Sequence, residues 1–122
     1  MENIKNIERG ITLAQIQIEQ IKETIISFFS QKNIRINKII LFGSFCTGVP
    51  YEESDIDLLV LSDEFENKSI FQKAKATDGL EWVLVKKYKK PFDILYYSNS
   101  EWENSYNLII TEAKKTGEVI YS

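Results

Sequence analysis

Apolar positions change their spacing several times along this chain, and each change marks an element. From Thr12 to Ser30, the residues Ile11, Ala14, Ile18, Ile21, Ile25 and Phe28 recur every three or four positions. That spacing gives one apolar stripe on a helix of about residues 11–31. Such a stripe either packs on the core or binds a partner. Ile36 to Phe42 is a short β-branched run ending at Gly43, which reads as a buried strand. A polar loop runs through Pro50 to Ser54. Asp55 to Leu61 then reads as a second strand. Glu64 to Tyr88 has a helical composition, with Asp78-Gly79 as an interruption. Pro91 to Tyr97 is a third strand. Ser100 to Lys115 reads as one helix with Trp102, Tyr106, Ile109 and Ala113 on a shared face and Gly117 as its C-cap. Glu118 to Tyr121 adds a short last strand. Strands interleaved with helices predict an α/β (α+β) fold, a small mixed sheet flanked by helices.

Length and composition fit one domain over residues 1–122, an N-terminal helix followed by a core of about 36–122. The hydrophobic fraction of 43% suffices for a core. A net charge of −3 argues against extended nucleic-acid binding, which needs a basic face. There is no His, and Cys46 is the single cysteine. Imidazole chemistry and an intrachain disulfide are therefore excluded, and hard cations with oxygen ligands fit better than zinc. Cys46 itself reads as a small buried residue rather than a reactive thiol. With no apolar run long enough to span a bilayer and no signal-peptide pattern, a cytoplasmic location is expected.

The chemistry concentrates in two short stretches. Gly43-Ser44 is followed by ten residues and then Asp55-Ile56-Asp57. On a strand, Asp55 and Asp57 share one face while Ile56 and Leu58 face the core. Two carboxylates side by side repel each other unless a cation neutralises them. Gly43 leaves room for a backbone approach to phosphate, and Ser44 offers a hydroxyl. Asp93 is the candidate third acid, an isolated charge in Phe92-Asp93-Ile94-Leu95-Tyr96. Its alternative role is an acid at the strand's entrance, paired with Lys89 or Lys90. Lys86, Lys87, Lys89 and Lys90 read either as a solvated helix end or as a phosphate or RNA contact. Trp82 and Trp102 lie in helical patterns and are expected in the core, with base stacking or partner anchoring as the alternative.

Gly-Ser, a ten-residue gap and Asp-x-Asp between apolar strands resembles the signature of the DNA polymerase β-like nucleotidyltransferases, and the short chain resembles their minimal (MNT) domains. Phe92 to Ser98 with Glu101-Trp102-Glu103, and Ala113 to Tyr121, resemble the third-acid strand and the C-terminal ending of those domains. The resemblance implies the polymerase β-like fold and a Mg²⁺-dependent (or Mn²⁺-dependent) transfer of a nucleoside monophosphate, with AMP from ATP as the expected case. Asp55, Asp57 and Asp93 would be the catalytic and metal-binding residues, and Gly43 and Ser44 the nucleotide-binding ones. It also implies a HEPN-type protein partner, the domain acting as antitoxin of a toxin–antitoxin pair, with protein or RNA as acceptor and assembly into homo- or hetero-oligomers. One departure stands out. Family members often carry basic residues after Gly-Ser, whereas this chain has Phe45-Cys46-Thr47. That leaves two other readings open, an inactive module that neutralises a partner by contact and a nucleotide sensor.

Overall fold

The structure is a computed structural model and describes residues 13–43 and 55–122. Ser44, and with it Phe45 to Gly48 including Cys46, lies outside the described residues, as does Ile11. A four-stranded mixed sheet has the order β3-β2-β1-β4. Its strands are β1 (Lys38–Phe42), β2 (Ile56–Leu61), β3 (Phe92–Tyr97) and β4 (Glu118–Tyr121). β1 runs antiparallel to β2 and to β4, and β2 runs parallel to β3. Five helices accompany it among the described residues. They are α1 (Leu13–Ser30), α2 (Ile70–Thr77), α3 (Leu80–Tyr88), α4 (Asn99–Asn104) and α5 (Leu108–Thr116). None is long and apolar enough to cross a membrane.

Strand alternation divides the core in two. On one face Ile56, Leu58 and Val60 of β2 pack with Ile39, Leu41, Ile21, Ile25 and Phe29 and with Leu80 and Leu84 of α3. Phe29, Phe65 and Tyr96 meet there edge to face. On the other face Leu59 and Leu61 pack with Ile40 and Ala113, flanked by Phe42, Leu95, Tyr97 and Trp102. The α1 stripe is thus a core stripe, and Phe29 rather than Phe28 is its innermost ring.

Three sequence expectations need correction. The segment from Glu64 is not helical until Ile70. Ser62 instead caps a short 3-10 turn over Asp63–Phe65, and Ser69 with Gln72 forms the capping box that starts α2. Asp78-Gly79 does interrupt the run, as expected. Gly79 there has φ +95, and α3 begins at the next residue. The long helix from Ser100 is two helices. Ser98 and Glu101 cap α4, and the Asn107 side chain caps α5 by accepting from the Ile110 N–H at 2.8 Å. Tyr106 falls in the break and is 93% exposed, not packed beside Trp102. Gly117 does close α5, with its N–H donating to the Ala113 carbonyl, but its φ of −77 is ordinary. Glycine is needed for space, because a Cβ would lie 2.8 Å from Ile40 Cγ2 and 2.4 Å from the Ala113 oxygen.

Candidate active site

Parallel pairing of β2 with β3 sets Asp57 opposite Asp93, both at the second position of their strands. Odd-numbered residues on both strands share the face occupied further along by Leu59, Leu61, Leu95 and Tyr97. The two carboxylates therefore lie on one face, at the strand entrances. Asp55 immediately precedes β2 on the same parity and is exposed. Asp93 is exposed on an edge strand, whereas Asp57 is half-buried.

Electrostatics tie the three together. Burial, then the charge of Asp93, then that of Asp55 raise the Asp57 pKa above its ordinary value. Desolvation and like charge both penalise the carboxylate form. Yet among the described residues no three such side chains are already drawn close enough to cage an ion. The arrangement is an open cluster of like charges rather than a closed ligand set. Its donors are hard oxygens without imidazole or thiol, the chemistry that suits Mg²⁺ or Mn²⁺.

Gly43 follows β1, whose Phe42 pairs with Asp57. It adopts φ +79, and a Cβ there would lie 2.2 Å from Asp57 Oδ2. The space that sequence reading reserved for a phosphate is thus filled, on this side, by the Asp57 carboxylate. Only glycine tolerates both the left-handed backbone and that approach. The register Phe42 to Asp57 carries this contact, and spacing alone does not reveal it.

Other candidates fall elsewhere. A groove of about 1030 Å³ runs between α1 and α3 past Gln20, Thr24, Phe28, Val83 and Lys87. It lies across the sheet from Asp57 and Asp93, and the acids on its lining are Glu19 and Glu23 of α1. Trp102 packs as expected against the smaller core. Trp82 does not. It is 64% exposed, with the Lys86 ammonium 4.6 Å from its ring, because Leu80 and Leu84 take the inward face of α3.

Residues 23–122 match the polymerase beta nucleotidyltransferase family, and the chain belongs to it. A Methanocaldococcus jannaschii protein with the provisional name protein adenylyltransferase is 51% identical over 43 residues. That match spans 35% of this chain and 43% of the relative, less than half of its length. Among solved structures, a toxin-antitoxin bound to AMP-PNP aligns with a TM-score of 0.58 at 18% identity, covering 82% of this chain and 72% of that one. An MntA-HpeT toxin-antitoxin carrying two Asp-to-Glu changes aligns with a TM-score of 0.58 at 17% identity, over the same 82% and 72%. A nucleotidyltransferase, provisionally so named, from Sulfolobus solfataricus aligns with a TM-score of 0.51 at 20% identity, covering 74% and 75%. At these identities the structural likeness speaks for the fold.

Proposed function

We propose that this chain is an adenylyltransferase that moves AMP from ATP to a protein acceptor, with Asp55, Asp57 and Asp93 as its catalytic carboxylates. The observation that carries this reading is the pairing of Asp57 with Asp93 across β2 and β3, with Asp55 close enough to raise the Asp57 pKa. Family membership and the local match to a provisionally named protein adenylyltransferase support it further. Mg²⁺ or Mn²⁺ held by the three aspartates would supply the positive charge that the triphosphate and the transferring phosphoryl group require.

The chain's own residues have separable tasks. Asp57, half-buried and between the other two acids, orients the cluster. Gly43 leaves the room that the Asp57 carboxylate occupies, since a Cβ there would lie 2.2 Å from its Oδ2. The acceptor hydroxyl oxygen bonds to the α-phosphorus, the bond to the bridging oxygen breaks, and pyrophosphate leaves. Asp93, the more exposed of the facing pair, is our candidate for taking up the hydroxyl proton. Ser44 and the Gly43 backbone are the proposed contacts to the nucleotide phosphates.

The acceptor is, on this reading, a HEPN-type protein partner in the cytoplasm. The toxin-antitoxin structures sharing this fold favour it. A contact-only antitoxin is the second reading, favoured by the absence of a basic residue at Phe45-Cys46-Thr47. The separating experiment is co-expression with the protein encoded by the neighbouring gene, scoring label transfer from α-labelled ATP together with complex formation. Asp57→Asn should keep the complex and lose the label. Full protection from the partner by this variant, shown to be transfer-dead, would promote the contact-only reading.

A further inference from the structure

The chain makes an unusual exit from α3. Lys89 holds a left-handed backbone, φ 58 and ψ 35, and its N–H closes the helix on the Val85 carbonyl. Glycine or asparagine is the usual residue at that conformation, because a Cβ strains it. β3 begins only three residues later, at Phe92. The tight turn brings Lys86, Lys89 and Lys90 around one concavity of about 640 Å³, walled by Val85, Pro91 and Phe92. Glu81 is the one acid on its lining. Lys86, one of its lining residues, also lies over the ring of the exposed Trp82. An exposed Trp beside cations is a common anchor in protein interfaces.

The position of this pocket is as informative as its charge. The Pro91 carbonyl accepts the Ile56 N–H at 2.9 Å, and Ile56 lies between Asp55 and Asp57. Phe92 precedes Asp93. The pocket and the carboxylates therefore share one end of the sheet, on opposite faces. A macromolecule gripping the pocket would lie across the rim where the acids stand.

We infer that this lysine-rimmed pocket docks an acidic segment of the polypeptide acceptor, an inference that rests on the adenylyltransferase reading above. Charge complementarity selects the occupant. Three lysines against the one acid, Glu81, on a lining that also holds Val85, Pro91 and Phe92 suit Asp and Glu side chains carried on a chain with some apolar surface. A nucleic acid, with its continuous run of phosphates, would extend past this one pocket onto a molecule whose net charge is −3 overall. The left-handed lysine fits the same account, since strain at a backbone position can be retained where the side chain serves a site.

The test uses the full chain, a fluorescein-labelled poly-Glu peptide and a labelled oligoadenylate of equal charge, read by fluorescence anisotropy at low salt. The peptide should bind more tightly than the oligonucleotide, and added salt should weaken it. Lys86→Gln, Lys89→Gln and Lys90→Gln together should weaken peptide binding by about tenfold or more. Their response to Mn²⁺ with ATP, read as a rise in melting temperature, should stay intact. Lys89→Gly guards against misfolding, because it relaxes the turn. It should raise the melting temperature while weakening the peptide, a split that a purely structural lysine would not give. No peptide binding by the parent, unchanged binding by the triple variant, tighter oligoadenylate binding, or loss of the ATP response in the lysine variants would each overturn the inference. Lysine-dependent peptide binding in a chain with no ATP response would instead sink the adenylyltransferase reading and leave the pocket a docking site.

Discussion

The two ends of the sheet use the same residue type in opposite ways. Beyond the C-terminal ends of β2 and β3, each of three carboxylates has a donor. Asp63 accepts from the Asn99 amide at 2.6 Å, Glu64 from the Arg35 N–H at 2.5 Å, and Glu66 from the Ser100 hydroxyl at 2.7 Å. Hydrogen bonds from Ser98 and Ser100 hold the Glu66 carboxyl below its usual value. At the opposite end Asp57 faces Asp93, with Asp55 nearby, and its pKa is raised. Satisfied acids staple a fold together. Acids that face one another weaken it and so point to a binding role. The sheet thus separates a structural end from the proposed site over the length of a strand.

Breaking either end should show the difference, and the largest effect belongs to Gly43→Ala. A left-handed alanine costs about 1–2 kcal/mol, and the new methyl must also displace the Asp57 carboxylate. Urea denaturation should show a loss of at least that size, together with loss of the nucleotide response. Ser62→Ala attacks the structural end. Ser62 is fully buried, caps the 3-10 turn and donates to the Arg35 carbonyl at 2.5 Å. Its removal should cost about 1–2 kcal/mol by the same assay and leave nucleotide binding unchanged.

Titration should separate the ends by sign. Asp57 has a folded pKa above its ordinary 3.8. Its contribution favours the fold below that value and is lost as pH rises through the raised pKa. Glu66 has a folded pKa below its ordinary 4.5, so its contribution is present above 4.5 and lost as pH falls through the depressed value. The stability difference between parent and Asp57→Asn should therefore move against the parent as pH rises above about 4. The difference between parent and Glu66→Gln should move the other way. Equal slopes for both pairs would erase the proposed contrast. The smallest effect is expected at neither end. Trp82→Ala, on the outward face of α3, should change stability by no more than about 0.5 kcal/mol in the free chain.

Much of this geometry was legible in the sequence because it depends on alternation. Asp57 lies between Ile56 and Leu58 and Asp93 between Phe92 and Ile94, so strand period alone gives their outward direction. Which strands are neighbours is a tertiary fact. The β2–β3 register that puts Asp57 beside Asp93, and the Phe42 register that brings Gly43 onto Asp57, leave no mark in local spacing. Helix breaks were misread where caps compete with composition. Ser105-Tyr106-Asn107 continues an apolar period, yet the Asn107 side chain ends it by capping the next helix. Trp82 was misread because an apolar residue in a helical pattern does not disclose how wide the covered face is. Leu80 and Leu84 already fill the space beneath α3.

Thermal melting of the parent and Asp57→Asn, each with Mn²⁺ and ATP together, tests the central claim most directly. A ligand that binds the folded state alone raises the melting temperature by an amount that grows with the logarithm of one plus the ratio of free ligand concentration to Kd. The parent should melt higher with the pair than with either alone. Asp57→Asn should melt at or above the parent when nothing is added and gain little from the pair. An unchanged parent curve at millimolar Mn²⁺ plus ATP, or an equal gain in Asp57→Asn, would contradict a metal–nucleotide site built on these aspartates.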